Sequence, residues 1–231
     1  MNMKKTMSDR LMVALDVQSA EEALHIRDTL ADSVGWLKVG LRLFVGQGPA
    51  LIAQLQTSHR IFLDLKFHDI PNTVAQAIES AGNLGVDMVN VHAGGGLPML
   101  EAAAQAAAAF PSMQLIAVTV LTSDTMPQEQ ALALALQRAK LAKDAGLHGV
   151  VCSVHEAASI KALCGQDFIT VTPGIRWGNQ NSQDQQRIAD PKTAVESGSD
   201  YLVIGRPILQ ADNPKAAAQE AAAMMATAKI G

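Results

Sequence analysis

Short apolar, β-branched runs recur along the whole chain, and Ala-rich amphipathic stretches separate them. The runs predict strands over Leu11–Val17, Trp36–Leu41, Ile61–Phe67, Met88–Ala93, Gln114–Thr122, Gly149–Ser153, Phe168–Pro173 and Tyr201–Gly205. Each is almost continuously hydrophobic, as strands covered on both faces are. The stretches between them carry helix signals. Ser19 precedes Glu21 and Glu22, whose carboxylates suit the positive end of a helix dipole. Pro98 and Pro127 fall where first-turn prolines are tolerated, and Gly146 and Gly198 fall where helices end. Ala102–Ala109 is low in complexity, and because Ala is the best helix former it reads as a packed surface helix. About eight strands alternating with about eight helices in roughly 220 residues predicts an α/β fold, a closed (β/α)8 TIM barrel forming one domain over residues 1–231. A doubly wound open sheet shows the same alternation. However, no GxGxxG follows the first strand, and no Pro/Ser-rich linker divides the chain.

Charge interrupts the first three apolar runs. Asp16 ends Val-Ala-Leu-Asp, Lys38 lies in Trp-Leu-Lys-Val-Gly, and Asp64 and Lys66 break Ile-Phe-Leu-Asp-Leu-Lys-Phe. Strand side chains alternate, so Asp64 and Lys66 are expected on one side. A lone buried charge costs several kcal/mol, so these groups must be paired, hydrated or functional. A buried ion pair that only supports the barrel is one outcome. Charge on three successive strands favours a site at the C-terminal mouth, where barrel active sites sit. Asp64, Lys66 and Asp69 stand at i, i+2 and i+5, and Pro71 and Thr73 open the next helix. Alternating carboxylates and ammonium groups hold one another in the charged form. A charged lysine so placed can protonate a carbanion as it forms, whereas Schiff-base chemistry needs a neutral amine.

A second cluster lies late in the chain. Thr172-Pro-Gly-Ile-Arg176 ends the seventh predicted strand, and Val203-Ile-Gly-Arg-Pro207 ends the eighth. Loops after these strands often hold phosphate in barrels; glycine admits backbone N–H groups and arginine adds a forked donor. Trp177 to Arg187, rich in Asn, Gln and Ser, reads as a mobile lid.

Composition narrows the substrate class. A net charge of −4 and 3% aromatic residues argue against a nucleic-acid polymer as partner and against stacking platforms. A hydrophobic share of 48% supports a large core. Cys152 and Cys164 are too few for a disulfide framework or a four-ligand zinc site. The apolar run after Lys4 and Lys5 is too short for a signal peptide, and none reaches a membrane span. The chain is expected to be cytoplasmic, with no membrane partner.

Taken together, the motifs resemble the orotidine 5′-phosphate decarboxylase family in its bacterial form over essentially the whole chain. Those motifs are Leu15-Asp16-Val17, Leu37-Lys38-Val39-Gly40, Asp64-Leu-Lys66-Phe-His-Asp69-Ile-Pro-Asn-Thr73, Val91-His92-Ala93, Leu121-Thr122-Ser123, Thr172-Pro-Gly-Ile-Arg176 and Ile204-Gly205-Arg206-Pro207. The resemblance implies decarboxylation of orotidine 5′-monophosphate to UMP without metal or organic cofactor. It makes Lys66 the proton donor, turns Asp64 to the substrate carboxylate, and sets Lys38 between the charge array and the ribose. It places Asp16 on a ribose hydroxyl and Thr122 and Ser123 near the pyrimidine. By the same resemblance, Arg176, Gln185 (within Gln183–Gln186), Gly205 and Arg206 are expected around the phosphate. It also implies a homodimer in which Asp69 and Thr73 reach the neighbouring subunit's site.

Asp-x-Lys-x-x-Asp alone is shared with Mg²⁺-dependent sugar-phosphate decarboxylases and aldolases, which stay as an alternative, as does a non-catalytic nucleotide-binding barrel. His92 and His155 are read as structural, His68 as without chemistry, and His25, His59 and His148 as surface residues.

Overall fold

In a computed structural model, which describes residues 6–121, 124–178 and 189–229, eight parallel strands close into a barrel in sequence order. They are β1 (Leu11–Ala14), β2 (Trp36–Gly40), β3 (Arg60–Phe67), β4 (Met88–His92), β5 (Gln114–Val118), β6 (Gly149–Val151), β7 (Ile169–Thr172) and β8 (Tyr201–Ile204). All eight fall inside or within one residue of the predicted runs. The runs overshoot at their C-terminal ends because the chain stays extended where ladder pairing stops. Leu15 N–H, just past β1, still donates to Lys38 O at 3.0 Å.

The helices are α1 (Ala20–Leu30), α2 (Leu41–Gln47), α3 (Pro49–Leu55), α4 (Pro71–Asn83), α5 (Gly96–Ala107), α6 (Gln128–Asp144), α7 (Val154–Cys164), α8 (Pro191–Glu196), α9 (Arg206–Leu209) and α10 (Pro214–Ala226). This exceeds the expected count of about eight for two local reasons. Gly48, at φ +68°, turns the β2–β3 connection sharply and Pro49 restarts it as α3. The Gly205-Arg206-Pro207 segment adds the short α9 after β8. Ser19 caps α1 as its position suggests, its Oγ accepting from Glu22 N–H at 3.1 Å. Pro127 stands one residue ahead of α6 rather than inside its first turn. Among the described residues no helix is long and apolar enough to cross a membrane.

Two apolar layers form. Met12, Trp36, Phe62, Met88, Ile116, Val171 and Tyr201 fill the barrel interior, with Phe62 reaching the floor of the mouth. The opposite faces of the same strands pack against the helices around Leu37, Ile61, Leu63, Val89 and Leu202. Asp16, Lys38 and Asp64 follow the inward residues Ala14, Trp36 and Phe62 by two positions each, so alternation alone aims them at the mouth.

The barrel closes where β1 pairs with β8. Arg10 staples that seam from below, donating from Nε to Asp200 O and from Nη2 to Ser199 O, each at 2.8 Å. A buried cation supports the same end. Lys161 Nζ meets Asp200 Oδ2 at 2.5 Å and donates to the Gln166 and Phe168 carbonyls. Lys161→Met keeps the apolar stem and leaves three acceptors short of a donor. Asp200 is partly solvated, so a cost of about 2 kcal/mol is expected, read as a melting temperature lower by roughly 4–8 °C. An unchanged melting temperature would contradict this role.

His59, expected at the surface, is 6% exposed. It sits in the turn that delivers β3, with Nδ1 2.9 Å from Ser58 Oγ, and burial lowers its pKa. His25 and His148 are exposed as expected, although His148 Nδ1 accepts from Leu115 N–H at 3.0 Å.

Candidate active site

The mouth of the barrel holds a cavity of about 240 Å³. Asp16, Lys38, Asp64 and Lys66 line one side, and Gly174, Arg176, Gly205 and Arg206 line the other. Val118, Val151 and Val203 supply apolar surface between the two. Sequence distant by well over a hundred residues is thus brought to one rim by closure of the sheet.

Asp64 is the hub of the charged side. Lys66 Nζ lies 2.6 Å from its Oδ1, and Lys38 Nζ lies 3.3 Å from its Oδ2. Lys38 Nζ is also 3.6 Å from Asp16 Oδ1, which joins two charged groups on β3, one on β2 and one just past β1 into one alternating chain. Burial pushes the Asp64 carboxyl upward, but Lys38 and Lys66, with hydrogen bonds from Lys66 and Asn90, hold it below its ordinary value. Asp64 is therefore an anion at neutral pH despite being enclosed. Asp16 stands more open, with 60% of its side chain exposed.

Asp64 and Lys66 meet as their spacing predicts, but not on a regular strand. Lys66 adopts φ +51°, a left-handed conformation that costs a residue with a Cβ about 1 kcal/mol or more. The β3–β4 ladder shifts register over the same residues, pairing Leu63 with Val89 and then Phe67 with Val91. Bulges and strained residues concentrate where a side chain must be re-aimed. Asn90 fills the gap and was not singled out by the sequence. It follows the inward-facing Met88 by two residues, the same signal that exposed Lys38 and Asp64, but an uncharged amide in an apolar run attracts less notice.

On the far side, a Cβ at Gly205 would lie 3.2 Å from Asp16 Oδ2, so this position keeps the two rims in close approach. Asp69 and Thr73 are not brought to the cluster of their own chain. Both are exposed, and Asp69 Oδ1 accepts from Ile70 N–H at 2.7 Å. Thr122, Ser123 and Gln185 lie outside the described residues, as does all of the expected lid except Trp177 and Gly178. His92 is structural as expected, its Nδ1 accepting from Gly94 N–H at 3.0 Å. The exposed His68 stacks on it with ring centroids 5.1 Å apart, and His155 is exposed on α7. No group of three or more His, Cys, Asp or Glu among the described residues is placed to hold a metal ion.

A closed parallel barrel with a lysine–carboxylate array facing two Gly–Arg strand ends across one mouth defines a barrel enzyme for an anionic substrate. The chain belongs to the orotidine 5′-phosphate decarboxylase / HUMPS family, whose model matches residues 9–221. It is 50% identical over 223 residues to an orotidine 5′-phosphate decarboxylase of Pseudoalteromonas translucida, covering 90% of this chain and 94% of that protein. One from Saccharophagus degradans is 45% identical over 231 residues, covering 96% and 97% of the two chains. Among solved structures, an orotidine 5′-phosphate decarboxylase from Lactobacillus acidophilus superposes with a TM-score of 0.81 at 37% identity, covering 93% of this chain and 98% of that one.

Proposed function

We propose that this protein decarboxylates orotidine 5′-monophosphate to UMP and CO₂, a step of pyrimidine biosynthesis. The observation that carries the proposal is the Lys66–Asp64–Lys38 array, closed in a cavity whose opposite rim holds Arg176 and Arg206. Loss of CO₂ breaks the bond between the pyrimidine ring and its carboxylate and leaves the electron pair on a ring carbon with no π-system to spread it. The ammonium of Lys66 stabilises that charge from a fixed position and then transfers its proton to the same carbon, giving UMP. Asp64 faces the departing carboxylate and holds Lys66 in place. Lys38 ties Asp64 to the ribose end, and Asp16 takes a ribose hydroxyl.

The phosphate is remote from the bond that breaks. Arg176, Gly205 and Arg206, together with Gln185, take it up, and its binding energy offsets the cost of placing two carboxylates near each other. Thr122 and Ser123 lie near the pyrimidine.

A homodimer is part of the proposal, with Asp69 and Thr73 entering the partner's site. Four of the large apolar side chains that are exposed, Leu41, Val45, Ile70 and Leu97, stand on the segments after β2, β3 and β4, beside those two residues. A cytoplasmic location goes with buried, unbridged Cys152 and Cys164, as in a reducing compartment.

Absorbance loss on adding orotidine 5′-monophosphate tests the reaction directly. Turnover undiminished by EDTA is expected, since both oxygens of Asp64 already face ammonium groups. Activity confined to Mg²⁺ and a sugar phosphate would replace this assignment with a metal-dependent lyase. Tight UMP binding without turnover would make the protein a nucleotide-binding barrel instead.

A further inference from the structure

We infer that Asn90 is a positioning residue of the reaction: its carboxamide spans the β3–β4 register shift and sets both the backbone of Lys66 and the carboxylate of Asp64. The inference rests on the decarboxylase assignment for its kinetic consequences, though not for its geometry. Between the paired positions Leu63–Val89 and Phe67–Val91, β3 inserts Asp64, Leu65 and Lys66 against the single residue Asn90. The ladder therefore offers Lys66 N–H no carbonyl in register. Asn90 Oδ1 takes its place, accepting from Lys66 N–H at 2.8 Å. At the other end of the same amide, Nδ2 donates to Asp64 Oδ1 at 2.7 Å, the oxygen that Lys66 Nζ reaches at 2.6 Å.

Asn90 is fully buried, so its carboxamide depends on these protein partners rather than on solvent. Only a carboxamide supplies one acceptor and two donors on a short planar fork. The orientation is fixed by its neighbours, because an N–H must meet an acceptor and a carboxylate must meet a donor. A leucine here would orphan the Lys66 N–H, and an aspartate would set a second carboxylate against Asp64. The left-handed backbone of Lys66 is thus held by a side chain two strand positions above the Met88 layer. The loop that follows β3 does not need to hold it. Lysine aim and carboxylate orientation are locked by one group, and neither can drift without the other.

The test compares the full-length wild type with Asn90→Ala and Asn90→Asp. For Asn90→Ala, kcat on orotidine 5′-monophosphate should fall about 100-fold, the loss typical of a reacting group misplaced by about 1 Å, while KM and UMP affinity stay within about threefold. The acid limb of kcat against pH should move to higher pH, because Asp64 loses a donor while Lys38, Lys66 and, through Lys38, Asp16 still surround it. Asn90→Asp keeps the acceptor for Lys66 N–H but should move that limb further still. A residue that merely fills space would leave the acid limb in place, so an unmoved limb overturns the inference, as does a kcat within about threefold of wild type.

Amide exchange on the wild type covers the case in which the variants do not fold. Lys66 N–H should be protected like a ladder amide, and exchange at the rate of an exposed loop overturns the inference. A wild type that does not turn over orotidine 5′-monophosphate would instead sink the decarboxylase assignment, leaving Lys66 exchange to decide the role of Asn90.

Discussion

Lys66→Ala is expected to lower kcat on orotidine 5′-monophosphate by about 10⁴-fold or more while UMP still binds. Two contributions vanish together, the fixed positive charge beside the forming carbanion and the proton that quenches it, each worth roughly 10²–10⁴-fold. The geometry makes the loss hard to repair. Lys38 Nζ lies on the other oxygen of Asp64, 3.3 Å from Oδ2, and faces Asp16 as well. It cannot swing over without breaking the array. Without Lys66, Asp64 also presses less compensated charge on the substrate carboxylate, so substrate binding should weaken more than binding of UMP, which has no carboxylate. Absorbance kinetics and calorimetric titration with UMP read the two separately. A loss smaller than about 100-fold would remove Lys66 as proton donor.

The second large effect is a recovery. Asp69→Ala and Lys66→Ala should each be nearly inactive alone, yet their mixture should regain about a quarter of wild-type activity. Random exchange makes half the dimers mixed, and in a two-fold dimer one of the two sites in each mixed dimer receives an intact Lys66 and an intact Asp69. Asp69 is suited to this because it points to solvent in its own chain, clear of Asp64 and Lys66. Demonstrated subunit exchange without recovered activity would refute a site shared between subunits.

The strands and the charged rim were legible in the sequence for one reason: period-two alternation is unforgiving inside a barrel. Trp36 inward makes Lys38 inward, and Phe62 inward makes Asp64 inward, with no tertiary information required. Lys66 shows where that rule stops. Its side chain reaches the expected place through a left-handed residue and a register shift, and no Gly or Pro in Asp64-Leu-Lys66-Phe marks either. Asn90 escaped notice because it matters through its partners, which lie 24 and 26 residues earlier in the chain. His59, whose residue type suggests a surface position, is buried because it closes the turn that enters β3.

The seam between β1 and β8 joins the first strand of the chain to the last, and Gly205 brings the two rims of the cavity together there. The charge array belongs to the first three strands and the Gly–Arg ends to the last two, so half a barrel would carry chemistry without a handle or a handle without chemistry. A ligand that grips both at once is a latch across the longest-range contact in the fold. By mass action it stabilises the closed sheet by RT ln(1 + [L]/Kd), about 2.7 kcal/mol at a hundredfold excess over Kd. A nucleotide held by both rims is therefore expected to raise the melting temperature of the whole barrel.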